Sequence, residues 1–311
     1  MRRRGSPIGL LVMMVMALVL AACGTSDDTA ETTTTTAAEA ATTAAETPDA
    51  TTTTTEPEAE PEPASVRVGL GNMPPSGMPY LGAGSPGQYV WSNMFDALTR
   101  IGPDGAPEPA LAESWSTADD NLTWTFNLRG GVTFSNGEAL DAAAVEATFA
   151  TVLSEEGRAT YSANANNYGF IESVTAVDDS TVEIVTSSPN VLLPSAISIA
   201  YILPPAYFAE AGAEGFAQAP IGTGPYAVSE WGDDEIVLDV WSGSWRGEPG
   251  IASVTYLNLP DPAARVQALQ SGQIDVAQSP SPDQAASLVA DGFEIYSATR
   301  GQVLAMALVT D

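Results

Sequence analysis

Three features of the sequence point to a mixed α/β protein. Between Leu122 and Val240 short apolar runs alternate with polar residues and are separated by Gly- or Asp-rich turns, the pattern of β-hairpins. From Ser253 onward strand-like and helix-like runs alternate, which argues for a sheet with covering helices. A chain of 311 residues, 44% hydrophobic and 16% charged, is also long and apolar enough to bury a core of about two domains.

The elements follow in order. Ser65 to Gly71 carries Val66, Val68 and Leu70 at strand period, and a Gly/Pro-rich loop runs on to Gly87. Gly69-x-Gly71 after a strand invites a dinucleotide reading. Pro74 stands where the third glycine belongs and Pro75 follows, so no helix opens there to receive a pyrophosphate and the reading is rejected. A loop of this length is more often functional than a mere connector. Leu122, Trp124, Phe126 and Leu128 alternate with polar residues, and Gly130-Gly131 is expected to turn this strand into a hairpin with Val132 to Phe134. Asp141 suits the N-cap of a helix whose apolar face is Val145, Phe149 and Val152 or Leu153. Further hairpins are expected around Asp178-Asp179-Ser180 and Gly232-Asp233-Asp234. Then come strand Val254 to Leu259, helix Pro262 to Leu269, strand Ile274 to Ala277, helix Pro282 to Ala290, strand Phe293 to Ser297 and a strand-like run Val303 to Val309.

Charge and missing residue types exclude much chemistry. Ten arginines, no lysine and no histidine face 39 acidic residues, for a net charge of −29. Such a field repels phosphate backbones, so nucleic acid is excluded as a main partner. Cys23 is the only cysteine. Ser-His-Asp and Cys-His nucleophiles, Schiff-base lysines, zinc sites and intramolecular disulfides are therefore unavailable, and neither a metal nor a cofactor is expected. A carboxylate-based glycosidase would need an acidic pair about 5–10 Å apart in a cleft, and no pair stands out from the general acidity. The expectation is a protein that is not an enzyme.

The first 22 residues read as a signal peptide: Arg2 to Arg4, then an apolar run from Ile8 to Leu20 that is too short to span a bilayer. Leu20-Ala21-Ala22-Cys23 looks like a lipobox, which would make Cys23 the acylated N-terminus of a membrane-anchored lipoprotein. Residues 23–64 are expected to be a disordered tether. From Gly24 to Ala64 there are 15 Thr and 10 acidic residues and no aromatic, Val, Ile or Leu to offset the entropy of ordering.

Several blocks, in order, resemble the family 5 extracellular solute-binding proteins, the peptide/nickel-type binding components of ABC importers. They are Pro109 to Trp115, Leu122 to Arg129, Phe134-Ser135-Asn136-Gly137, Val177 to Val182, Ile221 to Tyr226, and Asp261 to Val276. The resemblance implies a two-lobed periplasmic-binding-protein-like fold of the type II, cluster C kind. Lobe I would comprise residues 65–97 and 187–260, with a nested subdomain at 98–186, and lobe II would open at 261–311 and be incomplete. It also implies a monomer working with ABC permease subunits and a peptide or similar small solute, at the extracytoplasmic face of the cell membrane. A sensory or adhesive surface lipoprotein on the same fold is the alternative.

Most matched residues have a packing role: Trp115, Trp124 and Phe126 as core, Gly222 to Pro225 as a turn, Trp245 as an anchor. The candidates for ligand contact are Asn72, Met73 and Tyr80 in the loop after the first strand. Tyr161, Asn164, Asn167 and Tyr168 join them from a segment that mixes aromatics with amides and whose counterpart in the family lies near the cleft.

Overall fold

The computed structural model describes residues 64–82, 85–161 and 165–297. The signal peptide, Cys23, the tether up to residue 63, Asn164 and the run Val303 to Val309 lie outside the described residues, and Ala64, expected at the end of the tether, opens the first strand. Two larger sheets organise the rest. The first has the order β11-β1-β10-β9-β8, from β1 (Ala64–Leu70), β8 (Tyr226–Trp231), β9 (Glu235–Val240), β10 (Ile251–Asn258) and β11 (Val276–Ala277). β1 is parallel to both β10 and β11, while β10, β9 and β8 are antiparallel. The second sheet is antiparallel, β4-β5-β7-β6, from β4 (Ala112–Thr117), β5 (Thr123–Leu128), β6 (Ile171–Asp178) and β7 (Thr181–Thr186). A short ribbon pairs β2 (Thr99–Ile101) with β3 (Pro107–Pro109).

Alternation decides which side of each strand is buried. Trp124, Phe126 and Leu128 of β5 and Val182, Ile184 and Thr186 of β7 point inward, and Thr125 and Asn127 point away. Helix α2 (Ala142–Leu153) packs on β6 and β7. Its N-cap is Asp141, whose Oδ1 accepts from the Ala144 N–H at 2.9 Å, a cap that contributes about 1 kcal/mol. Helix α1 (Ser85–Met94) lies on β8, and α3 (Glu155–Thr160) and α4 (Leu193–Ala196) are short. Helix α5 (Pro205–Gln218) is broken where Gly212 takes φ 64°. Helix α6 (Pro262–Gln270) links β10 to β11, and α7 (Pro282–Ala290) follows β11. Ser281 and Gln284 form a reciprocal capping box at the start of α7. One continuous set of buried side chains joins the two sheets.

Two expectations are corrected. β5 forms no hairpin with residues 132–134, because β4 and β7 already take both its edges; residues 132–140 instead fold on themselves, with a bridge between Thr133 and Ala139. Phe293 to Ser297 is not a strand. Beyond Asp261, β11 pairs with β1 at Val68↔Val276 and Gly69↔Ala277, so residues 276–277 extend the first sheet.

Candidate functional site

In open sheets with parallel strands, ligands gather at the strands' carboxyl ends. Here those ends belong to β10, β1 and β11, and the residues that leave them are Leu259, Gly71 and Gln278. The Leu259 N–H donates to the Leu70 carbonyl at 2.8 Å and the Gln278 N–H to the Gly69 carbonyl at 3.0 Å. Asn72 is exposed and Met73 half-buried at the same edge. A cavity of about 560 Å³ opens beside β11, lined by Tyr89, Gln278, Leu288 and Tyr296 among others. A second cavity of about 480 Å³ lies between α2 and α5, floored by Thr148, Leu203 and Phe208.

The expected ligand-contact residues divide into two groups. The two segments do meet: the Tyr80 and Tyr161 rings are 6.2 Å apart and tilted by 54°, and Tyr168 meets Phe149 edge-on at 6.2 Å. However, Tyr80, Tyr161 and Tyr168 are 2%, 5% and 1% exposed, so they belong to the core and present no free surface. The Tyr80 hydroxyl donates to the Tyr201 carbonyl at 2.7 Å, and the Tyr201 hydroxyl to Gln88 Oε1 at 2.8 Å. Burial pushes the Tyr80 hydroxyl well above its ordinary value, with Tyr168 and Tyr201 adding to the rise, and burial raises Tyr161 and Tyr168 too. The loop after β1 is correspondingly packed down. The Gly77 N–H donates to the Ala217 carbonyl and the Trp91 indole to the Ser76 carbonyl, while Met78 is fully buried. Gly77 and Gly82 there serve close packing; of the expected contacts that are described, Asn72, Met73 and the exposed Asn167 remain at or near the surface.

A polar cluster that sequence reasoning did not assemble sits under the Ile221 to Tyr226 block. Asp96, 3% exposed, accepts through Oδ2 from Thr223 Oγ1 and from the Trp245 indole, each at 2.9 Å, and pairs through Oδ1 with Arg246 at 3.0 Å. The Arg129 guanidinium lies 4.5 Å from the Trp245 ring centre. Gly222 and Gly224 let this turn press on the carbonyls of Met94 and Asn93, where a Cβ would collide with backbone. The available signal was a lone acid, Asp96, in the apolar stretch Val90 to Leu98. Among the described residues no group of three or more acidic or Cys side chains could hold a metal ion, and no helix is long and apolar enough to cross a membrane.

The family model for bacterial extracellular solute-binding proteins, family 5 middle, matches residues 106–311. The chain belongs to this family. Among its relatives, the nickel-binding periplasmic protein of Escherichia coli K12 is 32% identical over 195 residues, 60% of this chain and 36% of that protein. The dipeptide-binding protein DppE of Bacillus subtilis 168 is 29% identical over 234 residues, 68% of this chain and 42% of that protein. This family 5 chain thus spans only about two-fifths of the length of those relatives. Among solved structures, MoaA from A.tumefacien R10 in complex with mannopinic acid superposes with a TM-score of 0.66 at 26% identity, covering 74% of this chain and 48% of that one. DppA from Helicobacter pylori in complex with the peptide STSA gives 0.67 at 24% identity, covering 73% and 49%, and shares the fold. The mixed α/β, periplasmic-binding-protein fold expected from the sequence is the fold of these structures.

Proposed function

We propose that this protein captures a small solute outside the cytoplasm and delivers it to the permease of an ABC importer. The observation that carries this reading is the family match over residues 106–311. Relatives named for dipeptides, nickel and glutathione support a small solute, and peptides or peptide-like molecules are the class we favour. The solute would bind between two lobes, with lobe I built from residues 65–97 and 187–260 around the nested subdomain 98–186, and lobe II opening at residues 261–311. Asn72, Met73 and Asn167, with Asn164, are the contacts proposed from this side. Closure would be driven by the solute's greater affinity for the closed state, and no covalent step is involved. Lipid on Cys23 would anchor the protein, and residues 23–64 would tether it. The binding protein would act as a monomer.

The test is calorimetric titration of the protein expressed from its uninterrupted reading frame against di- to nonapeptides, glutathione, nickel chelates and opine acids. Micromolar binding of one class is expected, and absence of binding across the panel would overturn the capture role. In the native host, the anchored form should partition with membranes and its Cys23→Ala variant should not. A wild type recovered wholly in the medium would remove the anchor from this reading.

A further inference from the structure

We propose that Arg265 is a positioning residue that locks the exits of β10, β1 and β11 into one body, an inference that rests on the solute-capture reading because those exits form the candidate site. Arg265 lies on α6 and is 5% exposed, yet among the described residues it forms no ion pair. Its donors go to backbone carbonyls at two strand exits. Nη1 donates to Leu259 at 2.5 Å and Pro260 at 3.0 Å, just past β10, and Nε donates to Gln278 at 3.0 Å, just past β11.

The third exit is tied in through the same glutamine. The Gln278 N–H donates to the Gly69 carbonyl, and its side-chain Oε1 accepts from the Gly71 N–H at 2.8 Å. The Gly69-x-Gly71 pair finds its purpose here. A Cβ at Gly71 would stand 3.1 Å from Arg265 Nη1, so Gly71 clears space for the arginine, while one at Gly69 would stand 2.7 Å from Ile274 Cδ1 and 3.1 Å from Leu259 Cδ1, so Gly69 clears space for the side chains beside it. Burying a guanidinium without a carboxylate is costly, and carbonyl dipoles converging from separate elements are what offset it. Only a planar fork reaches two exits at once, which a lysine ammonium cannot do with the same geometry. One residue beyond the lock, Ser279 takes φ 47°, a left-handed conformation that favours glycine, and Pro280 follows. The locked unit therefore ends in a sharp turn at Ser279.

Residue-resolved amide exchange on the whole protein tests this. Because the lock makes one cooperative unit, the N–H groups of Gly71, Leu259 and Gln278 should exchange through a common opening with equal protection. Arg265→Lys should lower all three by the same factor, tenfold or more, and leave Phe126 and Val182 in the second sheet unchanged. Gln278→Leu, which keeps the backbone carbonyl, should do likewise and decides the matter if Arg265→Lys does not fold. Independent exchange of the three amides, or loss confined to one of them, would overturn the lock. Titration of the same variants with the solute panel separates the two proposals. Wild type that binds nothing sinks solute capture and leaves the exchange result standing, whereas a lost common protection with unaltered solute affinity removes the positioning role.

Discussion

Asp96 carries a charge at 3% exposure, so its place in the fold depends on the donors that surround it. Two of them, the Thr223 hydroxyl and the Trp245 indole, share Oδ2, and Arg246 holds Oδ1. Trp245→Phe keeps the ring under Arg129 but deletes the indole donor, which leaves a buried carboxylate lone pair unmet. The expected loss is about 1–3 kcal/mol in urea unfolding at neutral pH. An unchanged midpoint would mean that the indole hydrogen bond is dispensable and that Trp245 acts by packing alone. Sequence reading placed Trp245 as an anchor but could not pair it with Asp96, because 149 residues separate them and only the folded chain brings them together.

Strand β11 has two residues, too few to hold an edge by ladder bonds alone, and a charged clamp supplements them. Arg67 on β1 meets Asp275 with Nε and Nη2 at 3.1 and 3.0 Å, its backbone N–H donates to Oδ2 at 2.8 Å, and Nη2 also donates to the Gly272 carbonyl. The Arg67 side chain, followed by its backbone N–H, holds the Asp275 carboxyl below the ordinary carboxylate value. A depressed folded pKa gives stability that is present above the unfolded value, near 3.9, and lost as pH falls through the lower folded one. Asp275→Asn should therefore be less stable than wild type from about pH 5 to 8, and the gap should close below about pH 4. A gap that persists at pH 2 in thermal melts would assign the effect to geometry rather than charge. Elements with local signals were read correctly from sequence. Asp141 caps α2, the turns at Asp179 and Asp233 close hairpins β6-β7 and β8-β9, and the 262–270 and 282–290 helices stand where Pro and a capping residue start them. What depends on distant partners was not legible. Which edge of β5 is free depends on partners far along the chain, and so does the burial of Tyr80 and Tyr161, which side-chain type alone does not reveal.

The balance of charge over the molecule sets a further constraint. Six arginines fall among the described residues, and each is committed: Arg67, Arg100, Arg129 and Arg246 to ion pairs, Arg158 and Arg265 to backbone carbonyls. With 39 carboxylates against 10 arginines in the sequence, most acidic groups have no cation nearby and repel one another across the surface. Folding concentrates that repulsion, and the four ion pairs offset little of it because three of them are exposed pairs of the kind that contribute at most about 1 kcal/mol each. Salt shortens the reach of surface charges from roughly 30 Å at 0.01 M to about 10 Å at 0.1 M. Screening should therefore relieve more repulsion than it removes attraction, and the melting temperature should rise steadily as sodium chloride is raised from about 0.01 to 0.5 M. The corresponding experiment is a set of calorimetric scans at fixed pH 7, repeated with sodium sulfate at matched ionic strength to separate screening from anion-specific effects. A melting temperature that falls with salt would show that attractive pairs, rather than the excess of carboxylates, dominate the electrostatics of the folded state.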